Sequence, residues 1–469
     1  MATKLALATA PLDDSEGLSA RLCAEVASWR YEDLPEDVVR TVKLFLVDTF
    51  GVIAGAAQAP GIAEVRGRFT RWEKDGSATV LIGKNRMSPP HAALVNGAAA
   101  HALDFDDIHD PARVHTFCVM LPAMLAAAED IGNIDGKRFI LALAIGGELH
   151  ARLGLAAYNC LGKGWHPTMT LGALAGSLGV GSLLGLDEHG MLNALGLALH
   201  QASGTAQPML DGVLAKRLGA GIAARGAVTA GFLANDGVTG SFRPLEGDAG
   251  LFPFLERGEV RLGELMGGLR EEWRLRDYSF KPFPCCRCTH TAIGLGFELR
   301  RLGVTPQEVA SVEIALGKVN YQTVGQPYEA KRDSVVHAQF SVAYTFARAL
   351  TDGKVDLSTF TRSNITEPGI AALAEKVTAI IDQGEAATDM APARVTVTRT
   401  DGSVLTVASR LIPGSPDAPM SEADIVAKFE GCAASGLGLD VQRARPFAER
   451  LLALEDMPDV SALARDFPN

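Results

Sequence analysis

Three short stretches of the chain concentrate side chains able to do chemistry. The densest is His101-x-x-Asp104-Phe105-Asp106-Asp107-Ile108-His109, followed by Asp110 and His115. Imidazoles interleaved with carboxylates just before an apolar run suit a metal site, because His and Asp are good ligands. They equally suit acid–base catalysis, with a histidine moving a proton near neutral pH. A loop whose aspartates cap helix ends fits the same residues. The second stretch is Gly164-Trp165-His166-Pro167-Thr168. A proline that opens a helix places His166 at the positive helix end, which suits a bound carboxylate; the competing reading is a structural histidine. The third is Lys281-Pro282-Phe283-Pro284-Cys285-Cys286-Arg287-Cys288-Thr289-His290. Two prolines stiffen the loop behind Lys281, and a lysine drawn into a desolvated pocket loses basicity and can act as a base. An exposed lysine on a joining loop is the plain alternative. Cys285-x-x-Cys288 has no second C-x-x-C or H-x₃₋₅-H half, so a structural zinc is not expected.

The elements that must position these residues read as mostly helical. From about Leu34 to Asn235 the apolar spacing predicts helices over Pro35–Ala56, Thr116–Asp130, Gly136–Tyr158, Thr168–Leu184, Glu188–Ser203 and Val213–Asn235. Gly172 and Gly176 share one face, as do Gly219, Ala223, Gly226 and Ala230. Such small-residue stripes let helix backbones approach closely. Near Trp273 the texture changes. Ala310–Ala315 alternates like a strand, and Arg394–Ala408 reads as a hairpin around Asp401-Gly402. Helical stretches are expected at Thr289–Leu302, Ser341–Leu350, Gly369–Ile381 and Ser421–Leu454. The prediction is a mainly α protein, with a large all-α helical domain from residues 1–269 and 411–469. A smaller α+β lid domain is inserted at 270–410.

Composition narrows the function classes. The 469 residues carry 44 Lys plus Arg against 55 Asp plus Glu, a net charge of −11 that argues against a general nucleic-acid or anionic-membrane binder. Glycine is high, at 49 residues, and aromatics are 6%. Seven cysteines, three of them crowded at 285–288, are not a disulfide framework. The first residues reach Pro11 and two aspartates after a short apolar stretch, too little for a secretory signal, and the uncharged run Gly164–Leu186 is too polar for a good membrane span. A cytoplasmic protein is expected. Gly219-Ala220-Gly221-Ile222-Ala223-Ala224 fits a dinucleotide fingerprint but follows a helical segment rather than a strand. No phosphate-binding G-x-x-x-x-G-K-[ST] and no G-x-S-x-G occurs.

Taken together, the motifs resemble those of the MmgE/PrpD family, which includes 2-methylcitrate dehydratase, cis-aconitate decarboxylase and iminodisuccinate epimerase. The resemblance runs from about Val38 to Ser341. It rests on LVDTFGVIAGA (46–56), NGAAAHALDFDDIHD (96–110), GWHPT (164–168), HQASG (200–204), LAKRLGAGIAARG (214–226), GVTGSFRPLEGDAGLF (237–252), KPFPCCRCTH (281–290) and AQFSVAY (338–344), in that order. It implies a homodimer of two-domain subunits and chemistry with no metal or organic cofactor. The substrate would be a small di- or tricarboxylic acid that loses a proton next to a carboxylate. The reaction would be that of a lyase resembling 2-methylcitrate dehydratase, with an epimerase or a decarboxylase as alternatives. Asp104, His115, His166, Lys216 and Lys281 fall on the family's active-site positions. His109 is a nearby alternative to His115, and Tyr158 lies where epimerase-like members carry a tyrosine that partners the lysine. Decarboxylase-like members have Thr where this chain has Ile108. On this resemblance Lys281 and His115 or Tyr158 form the opposed proton-transfer pair. Lys216, His166 and Arg287 hold carboxylates, and Asp104 orients a histidine or a lysine.

Overall fold

Helices form where apolar spacing and its punctuation agree. The computed structural model describes residues 17–73, 75–158, 160–256, 260–386 and 389–468; the N-terminal stretch expected to lack a secretory signal lies outside them, apart from Gly17. Helix Glu36–Gly55 starts after an extended Pro35, with Glu36 and Asp37 in its first turn. Helix Gly136–Ala156 is capped by Asp135, whose side chain accepts from the Arg138 N–H at 2.8 Å. Helix Pro167–Leu184 opens on its proline and stops at left-handed Gly185. Phe117–Ile131, Glu188–Leu199 and Ala215–Asn235 complete the group.

The small-residue stripes face one another. A Cβ on Gly176 would sit 2.7 Å from that of Ala227, one on Gly172 would lie 3.4 Å from Ala223, and one on Gly226 would lie 3.3 Å from Ala173. A still closer approach joins helix Pro89–Ala100 to helix Ala215–Asn235. There a Cβ on Gly221 would stand 2.1 Å from the Leu94 carbonyl oxygen. Gly136–Ala156 and Pro167–Leu184 are long and apolar enough to cross a membrane, but 89% and 83% of their apolar windows are buried inside the protein.

Two large hydrophobic cores result, beside a small cluster of Val52, Phe105 and Cys432. One draws its buried side chains from Leu18–Tyr278 and from Ile425–Phe467. The other comprises residues between Cys285 and Ile412, around a four-stranded sheet. In that sheet the strands run Val377–Ile381, Val309–Leu316, Ala393–Arg399, Val404–Ser409; the first pair is parallel and the others antiparallel. The hairpin expected around Asp401-Gly402 is present, with Gly402 at φ +86°.

Three local expectations are corrected. Gly369–Ile381 is not one helix: it stops at Ala374, and the β-branched run Val377–Ile381 pairs with Val309–Leu316. Left-handed Gly438 splits Ser421–Leu454 into Glu422–Leu437 and Val441–Leu452. The N-terminal half is not helical throughout, because Ile108–His109 pairs antiparallel with Tyr278–Ser279.

That small pairing sets the approach to Lys281, and a buried arginine anchors it from behind. On helix Gly136–Ala156, Arg152 binds Glu148 at 2.6 Å and donates to the carbonyls of Gly267 (2.8 Å), Gly268 (3.2 Å) and Glu272 (2.5 Å). Glu148 in turn accepts from the Leu275 N–H at 3.0 Å. Irregular backbone with few partners of its own is thereby fixed to a helix. The close helix contact has a checkable consequence. Gly221→Ala must push Ala215–Asn235 off its neighbour, at a cost of about 1–3 kcal/mol, seen as a lower denaturant midpoint at unchanged slope.

Candidate active site

The turn after helix Pro89–Ala100 carries Asp104 in the left-handed region, at φ +53°, a conformation Asp tolerates better than most residues. Its Oδ1 accepts from Lys216 Nζ at 2.9 Å and from Lys281 Nζ at 3.0 Å. Lys281 Nζ also donates to the Asp104 carbonyl at 2.9 Å. Lys216 comes from the first turn of Ala215–Asn235, and its ammonium lies 5.1 Å over the Phe340 ring. All three charged groups are buried, Lys281 completely. Gln339 secures the seam: its Nε2 donates to the Leu103 carbonyl at 2.7 Å and to that of Pro284 at 3.0 Å.

Burial and pairing compete at each of these groups. Burial alone would raise the Asp104 carboxyl, yet Lys216 and Lys281 hold it well below the usual carboxylate range. Burial would lower Lys281, yet Asp104, and then Asp106, carry it above the ordinary lysine value. The expectation of a lysine kept neutral by desolvation, and so free to act as a base, is therefore corrected. Lys281 is an ammonium, a proton donor and a positive charge.

Histidines line the other side. His115 Nδ1 hydrogen-bonds to the Asp107 carbonyl at 2.8 Å and stands 3.4 Å from Asp106 Oδ2, so Nδ1 carries the proton and Nε2 is left as a base. The same Asp106 oxygen is 2.7 Å from His101 Nδ1. Burial holds His115 well below 6.5; Asp106 opposes this, and Lys281 reinforces it. His166 precedes Pro167 at the helix start, its value pushed down to about 3 by burial, His101 and Lys216. Both rings are therefore neutral imidazoles near neutral pH. Asp107 caps the next helix, accepting from the Thr116 and Phe117 N–H groups at 2.9 Å each. Burial and neighbouring Asp106 push its carboxyl up to about 8.

His101, Asp106 and His115 are the metal-capable group among the described residues. Their geometry is that of a hydrogen-bonded relay: 2.7 Å between His101 and Asp106 is shorter than the separation of about 3.3 Å between two ligands of one tetrahedral zinc.

One cavity gathers Asp104, Ile108, His115, His166, Lys216, Lys281 and Arg287. Other predicted residues are placed elsewhere. His109 packs edge-on against Tyr278 at 5.0 Å, accepts the Ala112 N–H on Nδ1, and does not line the cavity; burial pushes it down to about 4. The strand pairing with Tyr278 turns it away, so His115 is the histidine that faces the lysines. Tyr158 lines a neighbouring cleft with the Arg261 guanidinium 3.6 Å over its ring, and is not opposite Lys281. Arg287 lines the cavity, but its fork is engaged by Asp110 through two bonds of 2.9 Å, and it also donates to the Pro413 carbonyl. It ties two segments together rather than standing ready for a carboxylate. Arg113, Met209, Thr323 and Phe340 also line the cavity, and their sequence context gave no sign of it. With Arg287 matched by Asp110, the lining sets Lys216 and Lys281 against the single carboxylate of Asp104. Such a surplus attracts an anion.

A helical body and an α+β unit that meet around paired ammonium groups and a neutral imidazole make an acid–base enzyme. Comparison with known proteins gives it a particular place. Residues 20–262 match the MmgE/PrpD N-terminal domain and residues 283–454 the MmgE/PrpD C-terminal domain, and the chain belongs to this family. It is similar to the cis-aconitate decarboxylase of Aspergillus terreus, at 28% identity over 471 residues covering 95% of each chain. It is also similar to those of Homo sapiens (27% over 451 residues, 92% of this chain and 90% of the relative) and Mus musculus (28% over 458 residues, 92% and 89%). The protein is an MmgE/PrpD-type enzyme.

Two outcomes test the electrostatics. Asp104→Asn leaves two buried ammonium groups facing each other and should cost about 3–5 kcal/mol in chemical denaturation. The acid limb of kcat/KM should lie below pH 6.5, because the folded His115 value is depressed and protonation inactivates the base. Asp106 raises that value, so Asp106→Asn should move the limb to still lower pH while reducing kcat.

Proposed function

We propose that this chain is a lyase for a small di- or tricarboxylate, needing no metal or organic cofactor. The observation that carries the reading is the cluster of Lys216, Asp104 and Lys281 in one cavity with His115. Lys216 binds a carboxylate of the substrate. His115 Nε2 removes the proton next to a carboxylate, and the charge that develops is met by the ammonium groups. Lys281 delivers a proton to the departing hydroxyl, which leaves as water. The product is the unsaturated acid, as expected of a 2-methylcitrate dehydratase-like enzyme.

Decarboxylation is the second reading, favoured by the printed activity of the relatives. In that case CO₂ leaves with the ammonium groups holding the electron pair, and Lys281 supplies the proton to carbon. Ile108 in the cavity wall, where decarboxylase-like members carry Thr, weighs against it. Tyr158 outside the cavity weighs against an epimerase-type pairing with Lys281. The protein is further read as a cytoplasmic homodimer with neither nucleic acid nor membrane as partner, which light scattering of the purified protein addresses for the dimer.

The test is incubation with 2-methylcitrate, cis-aconitate and iminodisuccinate in heavy water, followed by NMR. Loss of water from 2-methylcitrate, giving the unsaturated acid without solvent deuterium on carbon, or loss of CO₂ from cis-aconitate with one deuterium delivered to carbon, is expected. No turnover and no exchange with any of them would overturn the proposal. Lys281→Ala and His115→Gln should each lower kcat by roughly 10²–10⁴-fold while circular dichroism stays unchanged.

A further inference from the structure

The proposed chemistry makes no use of the cysteines at the mouth of the Lys281 loop. Cys286 and Cys288 flank Arg287 in a turn that opens helix His290–Arg301, and both line the cavity that holds Lys281. They stand two residues apart in one turn and share one cavity wall, so that each thiol feels the other. Cys285 differs: it is absent from the cavity lining, its Sγ pairs with Thr289 Oγ1 at 3.2 Å, and burial pushes it up to about 12. The two facing thiols are unequal. The neighbouring Cys286 lowers Cys288, burial opposes this, and the Arg113 guanidinium lowers it further; Cys286 is raised by Cys288 and by burial. An acidified thiol beside a second, protonated one is the arrangement of an attacking and a resolving cysteine.

We propose that Cys286 and Cys288 form a modification site in the wall of the cavity, where a small hydroperoxide converts them to an intramolecular disulfide that disables the neighbouring lysine. The Cys288 thiolate attacks the peroxide oxygen; the O–O bond breaks, and the released hydroxide takes up a proton to leave as water. Cys286 then loses its proton and attacks the sulfenic sulfur, so that an S–S bond forms and the sulfenic oxygen leaves as a second water. Two thiols are oxidised by two electrons, and one hydrogen peroxide is reduced to two waters. Thiols only 7% and 8% exposed admit a reagent of water size and exclude bulky ones. Closing the bond brings the sulfurs to about 2 Å, so the turn must tighten. That turn carries the Arg287 fork on Asp110 and the Cys286 N–H bond to the Gln339 carbonyl (2.9 Å), and it continues directly into the loop of Lys281.

The loss of activity rests on the proposed function, whereas the disulfide does not. Full-length reduced protein is treated with hydrogen peroxide, freed of reagent and digested with trypsin without reduction. Trypsin cuts after Arg287 and not between Lys281 and Pro282, so the disulfide holds Asp277–Arg287 to Cys288–Arg300 in the peptide masses. The linked pair is expected from the native chain and not from Cys286→Ser or Cys288→Ser. Turnover of the native chain should fall roughly tenfold or more and return with dithiothreitol. Unlinked peptides, a link that persists in Cys286→Ser through Cys285, or full linkage without loss of turnover would each overturn the proposal. Failure of the proposed function shows separately, as no turnover by fully reduced protein.

Discussion

A single carboxylate oxygen, Asp104 Oδ1, sits between two ammonium groups from distant parts of the chain, and the rest of the molecule is arranged around that contact. Lys216 lies 112 residues from it and Lys281 lies 177. Two buried cations near each other would repel, and each would lose the stabilisation of water. The shared oxygen makes their proximity tolerable, and the second oxygen, Oδ2, remains without a hydrogen-bond partner. A full complement of charge is thus held ready for an anionic ligand without being neutralised in place.

Holding that contact requires rigid support on three sides, which explains the composition of the helical body. Lys216 stands at the start of the helix whose glycines touch the backbone of Pro89–Ala100, the helix that leads to Asp104. With side chains removed from the interface, few rotamers intervene between the two charges. The third group arrives on irregular backbone, where packing alone would leave it loose. There the support is polar: Arg152 gathers the carbonyls of 267–272, Ser279 binds Asp110 at 2.6 Å, and Gln339 joins the loops of Leu103 and Pro284. The Tyr278 ring, against Phe45 at 5.6 Å and His109 at 5.0 Å, closes the gap beneath.

Burial acts with the same sign on the two kinds of base in the cavity, yet the outcomes differ. At His115 it prevails over Asp106 and keeps the imidazole neutral. At Lys281 the full charge of Asp104 prevails over burial and keeps the amine protonated. The same dry surroundings therefore yield a proton acceptor and a proton donor within one cavity, which is what elimination requires. The overall charge of −11 is no obstacle, because over these few ångströms the nearest charges dominate.

The helical body was legible in the sequence because its signals are local. Apolar spacing, Pro167 at a helix start and glycine stripes depend on neighbours a few residues away, and so do the motifs around Asp104, His166, Lys216 and Lys281. The strand Val377–Ile381 was missed because its pairing partner is more than sixty residues away and the helix before it shares its apolar character. The same limit applies to the site. Sequence named Asp104 but could not say that its one oxygen serves two lysines. It could not choose His115 over His109, since that choice is made by the pairing of Ile108–His109 with Tyr278–Ser279. It placed Tyr158 and Arg287 as ligands or partners, whereas packing against Arg261 and the fork on Asp110 engage them elsewhere. Above all it could not assign protonation. Whether a lysine is base or acid depends on which of burial and counter-charge is larger, a balance that exists only once distant segments have met.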